Sequence, residues 1–418
     1  MLLISPGAAA APRLAWSLRP RRGLQGCTLV ALALSAACGT SDAAERRPPP
    51  AREWTAPAVI PGGAFLSPRN RLEDVVAEPG GAVHAVFTDT RGPLRRWNRV
   101  LYARLAGGAW SEPVPLDDTP GRSHAPRLAA DGRRRLHALW WEGLDPESGS
   151  RLLHRASDGA GWGPVDTLYR EADPRGVSDL QLAAVADGSG RLHVVHARAE
   201  GGHGYLVLDG GRWRAGPAPA LGGGYLRWDR EAARAGRLEL AYVAAVASEE
   251  VRTANNDLWF RSLGRAGWRE PAAVYRAPSR SHDPTLLTGA DGVRHAVWTE
   301  RTVRGASERL LHSVSRDGVH WSPPTEVVPP SPGAGFYAPR LGVDGEGRLH
   351  LAFLRASARE VVPLETRLEA GLWTAPRPLA PGAPAGTLDL ELAGDGRGTL
   401  HALWRGADGR YRHSRLGG

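Results

Sequence analysis

The chain has 418 residues, with 53 basic side chains against 44 acidic ones, a net charge of +9 and a hydrophobic fraction of 42%. Every basic residue is arginine, which excludes a phosphate loop ending in Gly-Lys, a Schiff-base lysine and a lysine general base. The arginines are interleaved with acids in no sustained run, which argues against a nucleic-acid-binding face, and two cysteines cannot build a disulfide framework.

Residues 1–37 read as an export signal. Arg13, Arg19, Arg21 and Arg22 form its basic region. Thr28–Ala37 is an apolar run of signal length, too short to cross a membrane as a helix. Small residues lead into Cys38, and Gly39, Thr40 and Ser41 follow it. This resembles a bacterial lipoprotein cleavage site, with Ser35 where that pattern has Leu. The resemblance implies that Cys38 is lipidated and is the only membrane attachment. The protein is then an anchored lipoprotein of the bacterial envelope, periplasmic or at the cell surface. Ordinary cleavage near Ala44 is the alternative and gives a secreted protein. Residues 38–53 hold the lipidated Cys and a Pro-rich tether, Glu45-Arg-Arg-Pro-Pro-Pro50.

From Trp54 onward the chain repeats with a period of roughly 50 residues. One marker is the second residue of a Leu-His-type strand that follows an Asp-Gly-type turn: His84, His137, His193, His295, His350 and His401, with Glu239 in the same place between the third and fourth. A second marker is the Trp after the next turn: Trp110, Trp162, Trp213, Trp268, Trp321 and Trp373. The Trp missing at the C-terminal end stands at the N-terminal end, in Trp54–Ile60. The expected fold is all-β: a seven-bladed β-propeller of four-stranded antiparallel blades over residues 54–418. The N-terminal strand completes the C-terminal blade and closes the ring. No helical periodicity is visible after the leader. A residue repeated in nearly every blade cannot serve one asymmetric site, so the marker His and Trp residues are expected to pack blades together. The protein is expected to be a monomer.

The loops that return to the inner strands gather on one face and form a funnel there. Ser123-His124-Ala125-Pro126-Arg127, Ser281-His282-Asp283-Pro284-Thr285 and Phe336-Tyr337-Ala338-Pro339-Arg340 enter these strands. Equivalent stretches carry Asp179, Trp228, Asp229 and Asp389, and Glu142 and Glu300 end second strands. Ligand-binding candidates are therefore His124, Arg127, Glu142, Asp179, Trp228, Asp229, Arg340 and Asp389. Catalytic candidates are His282, Asp283, Tyr337 and Glu300. Aromatics that stack, with Arg and carboxylates that fork onto hydroxyls or acids, suit a polar ligand such as a sugar. Possible metal ligands are dispersed one per blade, and there is no His-Glu-x-x-His helix or Gly-x-Ser-x-Gly elbow, so no metal or other cofactor is expected.

Ser315–Trp321, and the weaker copy Ser157–Trp162, resemble the Asp-box (BNR) repeat of sialidase-like propellers. The resemblance implies the fold, because that box is a hairpin device on the face opposite a sialidase active site. No sialidase catalytic residue can be carried over, since the Phe/Tyr-Arg-Ile-Pro segment of that family is missing. The expected function is an envelope-tethered module that binds a glycan or a protein through the funnel. The alternative is a glycan-cleaving enzyme, either an exo-sialidase-like glycoside hydrolase or a polysaccharide lyase.

Overall fold

The computed structural model describes residues 53–417 except 63–69, 92–96, 119–121, 134, 144–148, 173–180, 199–201, 223, 247–254, 277–279, 302–307, 331–332 and 383. The signal, Cys38, nearly all of the tether and Asp179 lie outside the described residues.

Alternating apolar residues, broken by Gly-containing turns, fold into antiparallel meanders. One runs Arg122–Ala130, Leu136–Gly143, Ser150–Ser157 and Asp166–Glu171, each strand hydrogen-bonded to the next. The innermost strands are Arg71–Ala77, Arg122–Ala130, Leu182–Ala186, Leu226–Trp228, Arg280–Thr288, Ala334–Val343 and Ala385–Gly394. Each packs on its successor, and Ala385–Gly394 packs on Arg71–Ala77. At the other end, Ala58–Val59 pairs antiparallel with Tyr411–Leu416, and Trp54 bridges to Leu416. Four-stranded sheets ranged side by side on their inner strands make an all-β propeller.

The marker residues hold neighbouring meanders together. Each strand-two His bonds a strand-three side chain of its own meander: His84 to Tyr102 (2.7 Å), His193 to Tyr205 (2.7 Å) and His350 to Glu365 (2.6 Å). His137, His295 and His401 bond His154, His312 and His413 at 3.0, 3.1 and 3.0 Å. The marker Trp of the following meander then packs on that strand-three ring: Trp162 on Tyr102, Trp213 on His154, Trp268 on Tyr205 and Trp373 on His312. Trp110 does the same to His413.

One helix departs from the expectation of an all-strand chain. After Leu226–Trp228, the turn is replaced by the five-residue helix α1 (Arg230–Arg234). Five residues span little more than one helical turn, too few to produce a visible period. Asp229 caps it: Oδ1 accepts from Ala232 N at 2.9 Å, and Oδ2 accepts from Thr288 Oγ1 at 2.6 Å.

Candidate functional site: the funnel pocket

Three inner strands share one irregularity. Their pairing slips between His124 and Arg127, between His282 and Thr285, and between Tyr337 and Arg340. At the centre of each slip is a residue in the left-handed region, Ala125 (φ 51°), Asp283 (φ 49°) or Ala338 (φ 50°). Proline follows each and has no N–H for the ladder. Such bulges re-aim the side chains beside them. Here they turn His124, His282 and Tyr337 into a single pocket of about 700 Å³, which Asp283, Asp389, Arg127 and Arg340 also line.

At the base of this pocket runs one ring of equivalent positions, of which Arg127, Arg227, Arg340 and Glu391 line it. Asp74, Arg127, Ala183, Arg227, Thr285, Arg340 and Glu391 each sit opposite the residue two beyond the marker His or Glu239. The arginines in this layer are engaged. Arg340 forks onto both oxygens of Glu391 at 2.9 Å and also donates to Asp283 Oδ1 at 3.0 Å. Arg227 donates to Glu391 Oε1 at 3.0 Å. Arg127 lies 3.7 Å from Glu73 and donates to Leu182 O at 3.0 Å and Pro126 O at 2.8 Å. Burial alone would push the Glu391 carboxyl up, but Arg227 and Arg340 outweigh it and hold it down at about 2. Asp283 and Glu391 overcome the effect of burial on Arg340 and hold its guanidinium more firmly protonated than usual.

Above this floor the groups are less tied. His282 Nε2 is hydrogen-bonded to Glu308 Oε2 at 3.0 Å, and the His282 ring lies 6.3 Å from that of Tyr225. Burial raises the Tyr225 and Tyr337 phenols above their ordinary range. Burial also pushes the Asp389 carboxyl up to about 6, because no ion pair offsets the desolvation fully.

The pocket therefore brings together His124, Arg127, His282, Asp283, Tyr337, Arg340 and Asp389. Four other candidates sit elsewhere. Glu142 is ion-paired with Arg151, and Glu300 with Arg309 at 2.6 Å; both carboxylates are buried in cross-strand pairs. Trp228 is buried in an apolar cluster, and Asp229 is spent on the α1 cap. Among the described residues, no three His, Cys, Asp or Glu side chains are grouped to hold a metal ion. Sequence reading passed over Arg71, Glu73 and Glu308. Arg71 and Glu73 belong to the first inner strand, and counting back from the turn at Glu78 as one counts from Asp131 would have found them. Glu308 is brought to His282 by pairing across the intervening strand Arg294–Arg301.

No family model and no curated protein matches this sequence. Solved structures do resemble it in fold. A protein of unknown function from Dyadobacter fermentans matches with a TM-score of 0.55 at 13% identity, over 88% of this chain and 99% of that one. A polysaccharide lyase of family PL25, an ulvan lyase bound to -[GlcA(1-4)Rha3S]-, matches with a TM-score of 0.54 at 12% identity, over 86% and 93%. A Hadza microbial sialidase matches with a TM-score of 0.44 at 14% identity, over 82% and 65%. At these identities the likeness is one of fold: this chain is a β-propeller.

Proposed function

We propose that the chain is an exported β-propeller that recognises a neutral, hydroxyl-rich glycan in the funnel pocket. Residues 54–418 are read as a closed ring of seven four-stranded blades. The pairing of Ala58–Val59 with Tyr411–Leu416, and the packing of Ala385–Gly394 on Arg71–Ala77, support closure. The leader supports tethering to the bacterial envelope through Cys38, with the ring a monomer that contacts the membrane only through that lipid.

One observation carries the glycan reading. His124, His282 and Tyr337 are turned by equivalent bulges into one pocket whose arginine floor is already matched by Glu391, Asp283 and Glu73. Hydroxyls can donate to Asp389 and to Asp283 Oδ2, the oxygen not taken by Arg340. Tyr225 and Tyr337 line the pocket and supply the aromatic surface on which sugars commonly pack. A carboxylate ligand would need arginines in excess, which this floor lacks, so sialic acid is not the expected ligand. The test is a panel of neutral and acidic glycans against the full chain and against His282→Ala, recording binding and product release. Binding confined to acidic glycans, or binding unaffected by the substitution, would refute this assignment.

One observation favours catalysis as the second reading. Glu308 orients His282 as a carboxylate orients a general base, and tyrosines stand nearby. A polysaccharide lyase with this fold makes the comparison concrete. Product release that vanishes in His282→Ala would establish it.

A further inference from the structure

Beneath the ionic floor is a second, smaller cavity of about 90 Å³, walled by residues from every inner strand and by α1. The contacts of α1 fix where that helix stands. Arg230 donates to Val75 O and Asp74 Oδ1, both at 2.6 Å. Arg234 donates to Gly394 O at 3.0 Å, and Gly188 N donates to Ala233 O at 3.0 Å. The capping carboxylate of Asp229 takes the Thr288 hydroxyl. These partners lie on or beside the inner strands Arg71–Ala77, Leu182–Ala186, Arg280–Thr288 and Ala385–Gly394. A helix about 7.5 Å long reaches all of them at once only by standing across the channel. The approach is tight enough to demand glycine: a Cβ on Gly188 would come within 2.4 Å of Arg234 O. Gly188 lies in the turn after Leu182–Ala186 and Gly394 ends the strand Ala385–Gly394, both at the end of the inner strands away from the bulges.

We propose that α1 and the ionic layer above it seal the channel, so that the funnel is a cup open at one end and its ligand is the end of a glycan chain. This rests on the glycan reading above. His124, His282 and Tyr337 stand on inner strands within the channel. A segment from the middle of a polysaccharide would have to bend in past them and out again. A chain end enters a pocket of about 700 Å³, within the range of about 300–1,000 Å³ used for small ligands.

The test has two arms. In the first, the full chain is titrated with cello-, xylo-, manno- and galacto-oligosaccharides of two to eight sugars and with the parent polymers. The expected result is an affinity that stays level beyond the trisaccharide, with each polymer binding in proportion to its molar concentration of ends. Affinity that climbs through the octasaccharide, or polymers that bind in proportion to their mass, would overturn the proposal. If no glycan binds, the glycan reading fails, and the seal is judged by the second arm alone. There, Ala393→Cys, in the wall of the lower cavity, is exposed to a trimethylammonium thiosulfonate, and labelling is located by mass spectrometry. The expected result is modification no faster than global unfolding. Prompt modification in the folded chain would show that α1 leaves the lower cavity open and would overturn its part in the seal.

Discussion

The indole of Trp110 meets the imidazole of His413 edge-on, with ring centroids 5.5 Å apart and planes at 78°. His413 lies on the C-terminal strand, to which the N-terminal Ala58 is paired, whereas Trp110 belongs to the first meander after it. This contact repeats, across the two ends of the chain, the geometry of Trp213 on His154 and Trp373 on His312. If it closes a ring, removing it costs as much as removing an internal seam. Trp110→Ala and Trp213→Ala are each expected to destabilise the protein by about 3 kcal/mol, measured by denaturant unfolding. A much smaller loss for Trp110→Ala would indicate that the ends are not locked together.

The imidazole pairs behind those tryptophans make stability pH-dependent. The Trp373 indole N–H donates to His312 Nδ1 at 3.2 Å. His312 therefore carries its proton on Nε2 and donates to Nδ1 of His295, so a further proton on either ring must displace one of these hydrogen bonds. Burial, reinforced by the partner imidazole, lowers His154, His312 and His413 to about 3, and burial lowers His401 to about 4. These values lie below the ordinary one, so the unfolded chain binds more protons as pH falls. The stability these residues contribute is present above about 6.5 and is lost progressively toward pH 3. The melting temperature is expected to fall steadily from pH 7 to 4, and less steeply in His312→Asn.

Glu391 neutralises two arginines at the pocket floor. Its side chain is 6% exposed and that of Arg340 is 11% exposed, so the charges cannot be screened by water instead. Glu391→Gln leaves Arg227 without its carboxylate partner and Arg340 with Asp283 alone. The expected cost is about 3 kcal/mol in denaturant unfolding. The same variant is expected to gain affinity for acidic glycans on the panel, because it creates the cationic floor that the parent lacks.

Asp389 sits in the pocket with its carboxyl raised to about 6 by burial. Above that pH it is ionised, and on the proposed function it would accept a ligand hydroxyl in a charge-assisted bond, whereas below it the acid is neutral. Glycan affinity is therefore expected to rise through a step near pH 6. Calorimetric titrations at pH 5 and 7.5 should show the step in the parent protein and not in Asp389→Asn.

Much of this architecture was legible in the sequence because its devices are local and recur. An Asp-Gly turn, a strand-two His and a later Trp each announce themselves within a few residues, and the structure ties them into one chain of contacts. The His-Ala-Pro-Arg, His-Asp-Pro-Thr and Tyr-Ala-Pro-Arg stretches stood out in the sequence as entries to the inner strands, but the left-handed residue before each proline, which makes the bulge, is a backbone conformation that no residue type there announces. What escaped depended on register and on partners distant in sequence. Glu142 and Glu300 look like funnel carboxylates until the ladder sets them opposite Arg151 and Arg309. Trp228 and Asp229 look equivalent to pocket residues, but one is core and the other caps a helix too short to leave a periodic trace. Glu308 reaches His282 only across an intervening strand.

The most direct test of the account is calorimetric titration of the best-binding neutral glycan into the parent chain and into Tyr337→Ala and His124→Ala. The account predicts one binding site in the parent, with affinity lost in both variants at a temperature where each is shown by its unfolding curve to be folded. Undiminished affinity in both variants would contradict it and place the ligand elsewhere on the molecule.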